Sequence, residues 1–327
     1  MTNINRIAAS IFCLVFATAT GAARAQTPEP PRIGHIQAGF QHVRVGDLEV
    51  IALSDGTVPI PADKLLTNTT PNEVAKYLAR TYQGTSVDAS VNAFLIKTAN
   101  RLLMVDAGTG ELYGPGLNKL TASLRAAGYD ADQVTDILIT HIHTDHTGGL
   151  MDGQRMVFPN ATLHIERKEV DYWLSAANRA RAPDSAKKYF DEAIAKVKPY
   201  VDAGKVTTFS GETQLFPEIR TIPAPGHTPG HTLYLLESKQ QKLMFWGDLI
   251  HVAEVQLPKP EVTILFDVNP KAAAAMRKRA IADAIAGRYL IAADHLAFPG
   301  IGHVQTDGKG FRWIPAPYVN DYHGAQP

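Results

Sequence analysis

Three imidazoles and a carboxylate fall within six residues at His141, His143, Asp145 and His146, a density of nitrogen and oxygen donors that suits zinc and its first-row neighbours. The apolar run Ile137-Leu138-Ile139 directly precedes them and reads as a buried strand that ends in a loop. While the chain stays extended, His141 and His143, two residues apart, point to one side and can reach one ion. Asp145 and His146 follow where the chain turns toward Gly148 and Gly149, and can face a second ion nearby. A polar loop whose histidines cap a helix or meet solvent is the competing explanation, but such residues rarely coincide at this spacing by chance. Three more strand ends present possible ligands: His227 in the turn-rich Pro223-Ala224-Pro225-Gly226-His227-Thr228-Pro229-Gly230-His231, Asp248 after Gly247, and His295 after Ala292-Ala293-Asp294.

The elements that must position these residues come in two similar runs. In the first half, Val43 to Val45 and Leu48 to Leu53 read as strands ending at the turn Ser54-Asp55-Gly56. Asn72 to Tyr82 fits a helix, and Ser90 to Ile96 with Leu102 to Asp106 reads as an antiparallel hairpin. Leu117 to Gly128 has helical spacing with a glycine stop, and the strand from Asp136 to Thr140 delivers the histidine cluster. Ala161 to Ile165 is a further strand. Lys168 to Ala180 and Asp184 to Lys196 read as two helices with no place in a minimal sheet-and-helix layer, so residues 166–200 form an expected insertion over the site. In the second half, Ile219 to Ile222, then Thr232 to Glu237 with Lys242 to Trp246, lead through a helix from Pro270 to Ile285 to the strand that begins at Tyr289. Strands followed by helices, twice, predict an α+β fold of four layers, αβ/βα, with the site where strand ends of both halves meet.

The 327 residues carry equal numbers of basic and acidic side chains, 32 of each, and 45% are hydrophobic, which is ordinary globular composition. Arg6, the apolar run Ile7 to Phe16 and Ala23-Arg24-Ala25 form the pattern of a secretory signal, residues 1–25, too short to span a membrane. Cleavage there removes Cys13, the single cysteine, and leaves 30 basic residues against 32 acidic. The mature chain is expected to be exported, to the periplasm or beyond, with an extended leader over residues 26–39 and one domain over 40–327. No basic run or positive surplus attracts nucleic acid.

With these residues in view, the chain resembles the metallo-β-lactamase fold superfamily. The likeness rests on Asp106-Ala107-Gly108, the His141 to His146 motif, Gly226-His227-Thr228-Pro229-Gly230-His231, Gly247-Asp248 and His295. Within the superfamily it is most similar to the methyl parathion hydrolase group and its lactone- and aryl-ester-hydrolysing relatives, on Ala52 to Thr57, Trp246 to Ile250 and Phe298 to His303. That likeness implies two divalent metal ions, zinc by preference. His141, His143 and His227 would hold one, Asp145, His146 and His295 the other, and Asp248 would bridge them. His231 would have a structural part, and His35, His42, His164, His251, His303 and His323 fall outside the ligand set. Two such ions share a hydroxide at neutral pH, with Asp145 orienting it and Asp248 fixing the metal spacing. Leu66, Tyr113, Trp173, Tyr189, Phe190, His251, Ile264 and Phe266 would fall in or near the substrate pocket, and a homodimer is the family's habit.

Other branches fit less well. Di-iron oxygen-reducing members replace the second motif histidine with an acid, whereas His143 is present; true β-lactamases of this fold lack a bridging aspartate and often use cysteine. The dedicated organophosphate hydrolases have an apolar residue where His251 stands. With bulky Phe266 nearby, that imidazole should disfavour a tetrahedral phosphotriester over planar acyl groups. The expected activity is hydrolysis of uncharged lactones or aryl esters, with phosphotriesterase activity as a side reaction. The alternatives are an organophosphate triester hydrolase and a non-catalytic exported metal-binding protein.

Overall fold

Alternating side chains along the strands divide the core into layers. In the computed structural model, which describes residues 37–319, Val50, Ala52, Phe94, Ile96, Leu103 and Val105 point inward and meet Tyr234, Leu236, Leu243 and Phe245 from a second sheet. Their sequence neighbours Ile51, Leu53, Ala93, Leu95 and Met104 point the other way, onto Leu120, Leu124, Phe190 and Val197 of helices. On the far side Leu233, Leu235, Met244 and Ile291 face Ala280, Ile281 and Ala284 of the helix Pro270–Gly287. The result is helix, sheet, sheet, helix: the α+β four-layer sandwich. Period-two alternation of two different apolar faces is what a sheet covered on both sides requires.

Among the described residues, each of the two packed sheets has seven strands, and two further pairs of short strands lie outside them. The first begins as an antiparallel meander through Phe40–Val45, Leu48–Pro61, Ser86–Lys97 and Leu102–Val105. It continues with Asp136–Leu138, Thr162–Glu166 and Val206–Phe209 in parallel. In the second, Gln241–Phe245 and Leu290–Ala292 are parallel neighbours. Parallel strands finish at the same edge of a sheet, so Asp106, His141, Asp248 and His295 all leave strand ends on one rim. The described residues belong to one compact unit, and none of their helices is long and apolar enough to cross a membrane. The expected signal segment 1–25, the expected leader up to residue 36, His35 and His323 lie outside the described residues.

Two local expectations are corrected. Asp55-Gly56 makes no turn: the strand Leu48–Pro61 runs on through a register shift between Ser54 and Gly56. The bulge turns Asp55 inward, where its carboxylate accepts hydrogen bonds from Thr109 N (2.9 Å), Thr109 Oγ1 (2.7 Å) and Leu120 N (2.8 Å). It thereby uses the groups that a turn would have used locally. Asp55→Ala leaves these buried donors unmatched and should cost about 3 kcal/mol, read as a lower urea midpoint at unchanged slope. The inserted segment forms three helices instead of two, Arg167–Trp173, Ala176–Arg181 and Asp184–Asp202. Ser175 breaks the first run by capping Asn178 N at 3.2 Å, and the last helix runs through Pro199.

Candidate metal centre

Asp248 sits at the centre of the rim, buried, with one carboxylate oxygen turned to each of two clusters. Its Oδ2 lies 3.1 Å from His227 Nε2 and 3.5 Å from His141 Nε2. Its Oδ1 lies 3.1 Å from His146 Nε2 and 3.0 Å from His295 Nε2. On the first side His143 Nδ1 completes the group, 3.1 Å from His141 Nε2 and 3.0 Å from His227 Nε2. On the second, Asp145 places Oδ1 3.7 Å from His146 Nε2 and Oδ2 3.4 Å from His295 Nε2. The seven residues proposed as ligands therefore converge as two groups sharing Asp248.

The neighbours of the rings settle which nitrogen faces inward. His227 Nδ1 donates to Asp267 Oδ1 (2.9 Å), His295 Nδ1 to the Ser90 carbonyl (2.9 Å) and His146 Nδ1 to Asp106 Oδ2 (2.8 Å). Thr140 Oγ1 gives its proton to Asp106 Oδ2 (2.6 Å), so it accepts from His141 Nδ1 at 3.0 Å. With the outer nitrogens of His141, His146, His227 and His295 committed in this way, their Nε2 atoms turn inward onto the Asp248 carboxylate at 3.0 to 3.5 Å. His146 Nε2 and Asp248 Oδ1 are buried without a hydrogen-bond partner. Imidazoles whose outer nitrogens are held by carboxylate, carbonyl or hydroxyl groups while their inner nitrogens face a buried carboxylate have the usual arrangement of metal ligands. The donor set, nitrogen and carboxylate oxygen without thiolate, fits divalent zinc or a first-row neighbour.

Charge follows the same division. Burial, then neighbouring imidazoles, hold His141 and His143 well below the usual histidine range. Burial also works against the charge on His227 and His295, but the Asp248 carboxylate outweighs it and pushes each up to about 9. Burial holds His231 at about 3, so its Nε2 is a neutral acceptor for Asp248 N at 3.2 Å. A side chain at Gly247 would be strained, because its φ is +51° and a Cβ would stand 2.6 Å from that same Nε2, which would have to shift. Glycine at 247 thus meets a backbone requirement beside the candidate ligand Asp248. Asp106 likewise adopts φ +58°, which places its carboxylate under Thr140 and His146.

Above the two clusters opens a cavity of about 800 Å³, with His143, Asp145, Asp248, His251 and His295 at its floor. Tyr113, Trp173, Tyr189, Phe190 and Phe266 line it as well. Trp173 and Phe190 also anchor the inserted helices in the core, with ring centroids 4.8 Å apart. Leu66 and Ile264 do not line it. They pair across the short strands Leu66–Thr67 and Thr263–Ile264 and face a core cluster, while their neighbours Leu65 and Leu265 line the cavity. His251 stands closer to the centre than a wall residue, stacked on His295 at 5.0 Å and 16°, with Nε2 3.0 Å from Asp248 Oδ2. Its outer nitrogen is buried with no hydrogen-bond partner, and with Asp248 and His295 it forms a further group whose donor atoms lie close enough to hold a metal ion. Burial, first among several influences, pushes the Tyr113 phenol far above its usual range, and the nearby Asp145 charge adds to it.

The family model described as the metallo-beta-lactamase superfamily matches residues 87–306. Among solved structures, the hydrolase AbOPH of the beta lactamase superfamily is similar at 32% identity with a TM-score of 0.83, over 88% of this chain and 100% of that one. AidC, a dizinc quorum-quenching lactonase, is similar at 28% identity and a TM-score of 0.81, over 86% of this chain and 99% of that one. An N-acyl homoserine lactonase of Bacillus sp is 24% identical over 176 residues, 48% of this chain. An atrochrysone carboxyl ACP thioesterase of Aspergillus novofumigatus is 30% identical over 168 residues, 51% of this chain. The chain spans only 62% of that lactonase and 39% of that thioesterase. By the match across residues 87–306, the chain belongs to the metallo-β-lactamase superfamily.

Proposed function

We propose that the chain is a hydrolase that works with two divalent metal ions, zinc by ligand type, on uncharged lactones and aryl esters, as a relative of the methyl parathion hydrolase group with weak phosphotriesterase activity. The reading rests above all on Asp248, whose two oxygens serve two separate histidine clusters at the floor of an aromatic cavity. His141, His143 and His227 would hold one ion, Asp145, His146 and His295 the other, and Asp248 both. Bound there, two ions would acidify a water and polarise a scissile carbonyl. Asp145 reaches both the second cluster and the cavity, so it can accept a hydrogen bond from the attacking water and aim it. The Tyr113 phenol stays protonated and can donate to an oxygen of the substrate. Tyr189, Trp173 and Phe266 offer flat apolar faces to an acyl or aryl group. Export after cleavage near Ala25 and a homodimeric assembly complete the proposal.

The similarity to lactonases, AidC among them, supports lactones as the substrate class. A panel of dihydrocoumarin, an acyl homoserine lactone, an aryl acetate and methyl parathion tests it: the triester should be the slowest, and the reading fails if it is by far the fastest. His251 sets that order by its polar ring beside the two clusters and by its hold on Asp248 Oδ2. His251→Leu should raise the ratio of triester to lactone turnover about tenfold, the scale on which one pocket side chain discriminates. An unchanged ratio removes His251 from specificity.

A further inference from the structure

The first ion site takes its ligands from two loops, His141 and His143 from one and His227 from the other, and one buried carboxylate spans both. Glu169, fully buried in the helix Arg167–Trp173, accepts from Ile142 N at 2.8 Å through Oε2 and from Gly230 N at 2.6 Å through Oε1. Ile142 lies between two of the ligands, and Gly230 follows the third by three residues. Trp173 Nε1 is a further donor to Oε2, at 3.0 Å. The second loop fits against this residue only because position 230 is glycine: a Cβ there would lie 2.9 Å from Glu169 N and 3.0 Å from its Cγ. Glu169 touches no ligand ring, and it does not line the cavity. A carboxylate buried away from any cation is costly, and here it is met by donors from the two ligand loops and a pocket wall.

We infer that Glu169 is a positioning residue that sets the spacing of the two ligand loops of the first ion site. The inference rests on the metal-centre reading above. Glutamine is the informative replacement, since its NH2 must be turned against the N–H of one loop or the other. In the full chain loaded with cobalt(II), Glu169→Gln should release one of two ions to a chelator at least about tenfold faster, the scale of lost outer support for a ligand. The other ion should leave at the wild-type rate. Lys196→Met is the control: it removes the buried link from the same insertion to Glu111 Oε1 (2.6 Å) and the Met151 carbonyl (2.8 Å), away from both ligand loops, and should release both ions as wild type does. If Glu169→Gln does not fold, Glu169→Asp, which keeps the charge but is too short to reach both loops, should show the same one-site loss. Wild-type release in a folded Glu169 variant, or equal acceleration of both ions there and in Lys196→Met, would overturn the inference. Because the readout is ion release, a chain that binds two ions and hydrolyses no lactone fails the activity reading and still decides this one.

Discussion

Asp248→Ala should lower turnover of lactone and aryl ester by roughly 10³-fold or more, about 4 kcal/mol of transition-state stabilisation, and should cost bound metal in the same step. The reason is the position of the side chain. One carboxylate oxygen is the anionic partner of His227, His141 and His251, the other of His146 and His295. Alanine leaves five buried ring nitrogens around a gap with no negative charge between them. A histidine-rich carrier would behave differently, because three ring nitrogens suffice to retain an ion and a carrier needs no fixed spacing. Metal content measured with turnover on the same samples therefore separates the two: retention of both ions points to a carrier, and joint loss to the hydrolase.

Stripping the metal should lower Tm by more than about 10 °C. An ion held at a thousandfold excess over its Kd stabilises the fold by about 4 kcal/mol, and a domain of this size shifts by roughly 2–4 °C per kcal/mol. The effect has a direction in pH. His227 and His295 are raised to about 9 by Asp248 against the opposing effect of burial. Raised values stabilise the ion-free fold fully below the unfolded value of about 6.5, and this contribution is lost as pH climbs through about 9. In the loaded protein those nitrogens carry metal instead of protons. The Tm gap between loaded and stripped protein should consequently widen from pH 6.5 to 9, as followed by calorimetry. A gap under about 2 °C at every pH would speak against a metal centre.

The residues of the two clusters were legible because each combines a strong local signal with a place the topology dictates. An apolar run such as Ile137 to Ile139 ends, a donor follows, and parallel strands bring such ends to one rim. The double alternation at Ile51, Ala52 and Leu53, or at Phe94, Leu95 and Ile96, encodes a sheet covered on both faces. Cavity walls were less legible. Leu66 and Ile264 lie on strands of two residues each, too short to show a period, and one residue of offset exchanges Leu66 for Leu65. Asp55-Gly56 carries turn chemistry that was spent on a distant loop at Thr109 and Leu120. Glu169 was silent because Arg167-Lys168-Glu169-Val170-Asp171 reads as a solvated helix start, and only tertiary contacts reveal which acid is inside.

The most direct test is a metal titration of the stripped protein, with dihydrocoumarin hydrolysis followed at each addition. Activity should rise to a plateau at two equivalents of zinc per chain, and methyl parathion turnover at that plateau should be slower than lactone turnover. A plateau at one equivalent, or hydrolysis indifferent to metal, would contradict a centre in which Asp248 joins two ions.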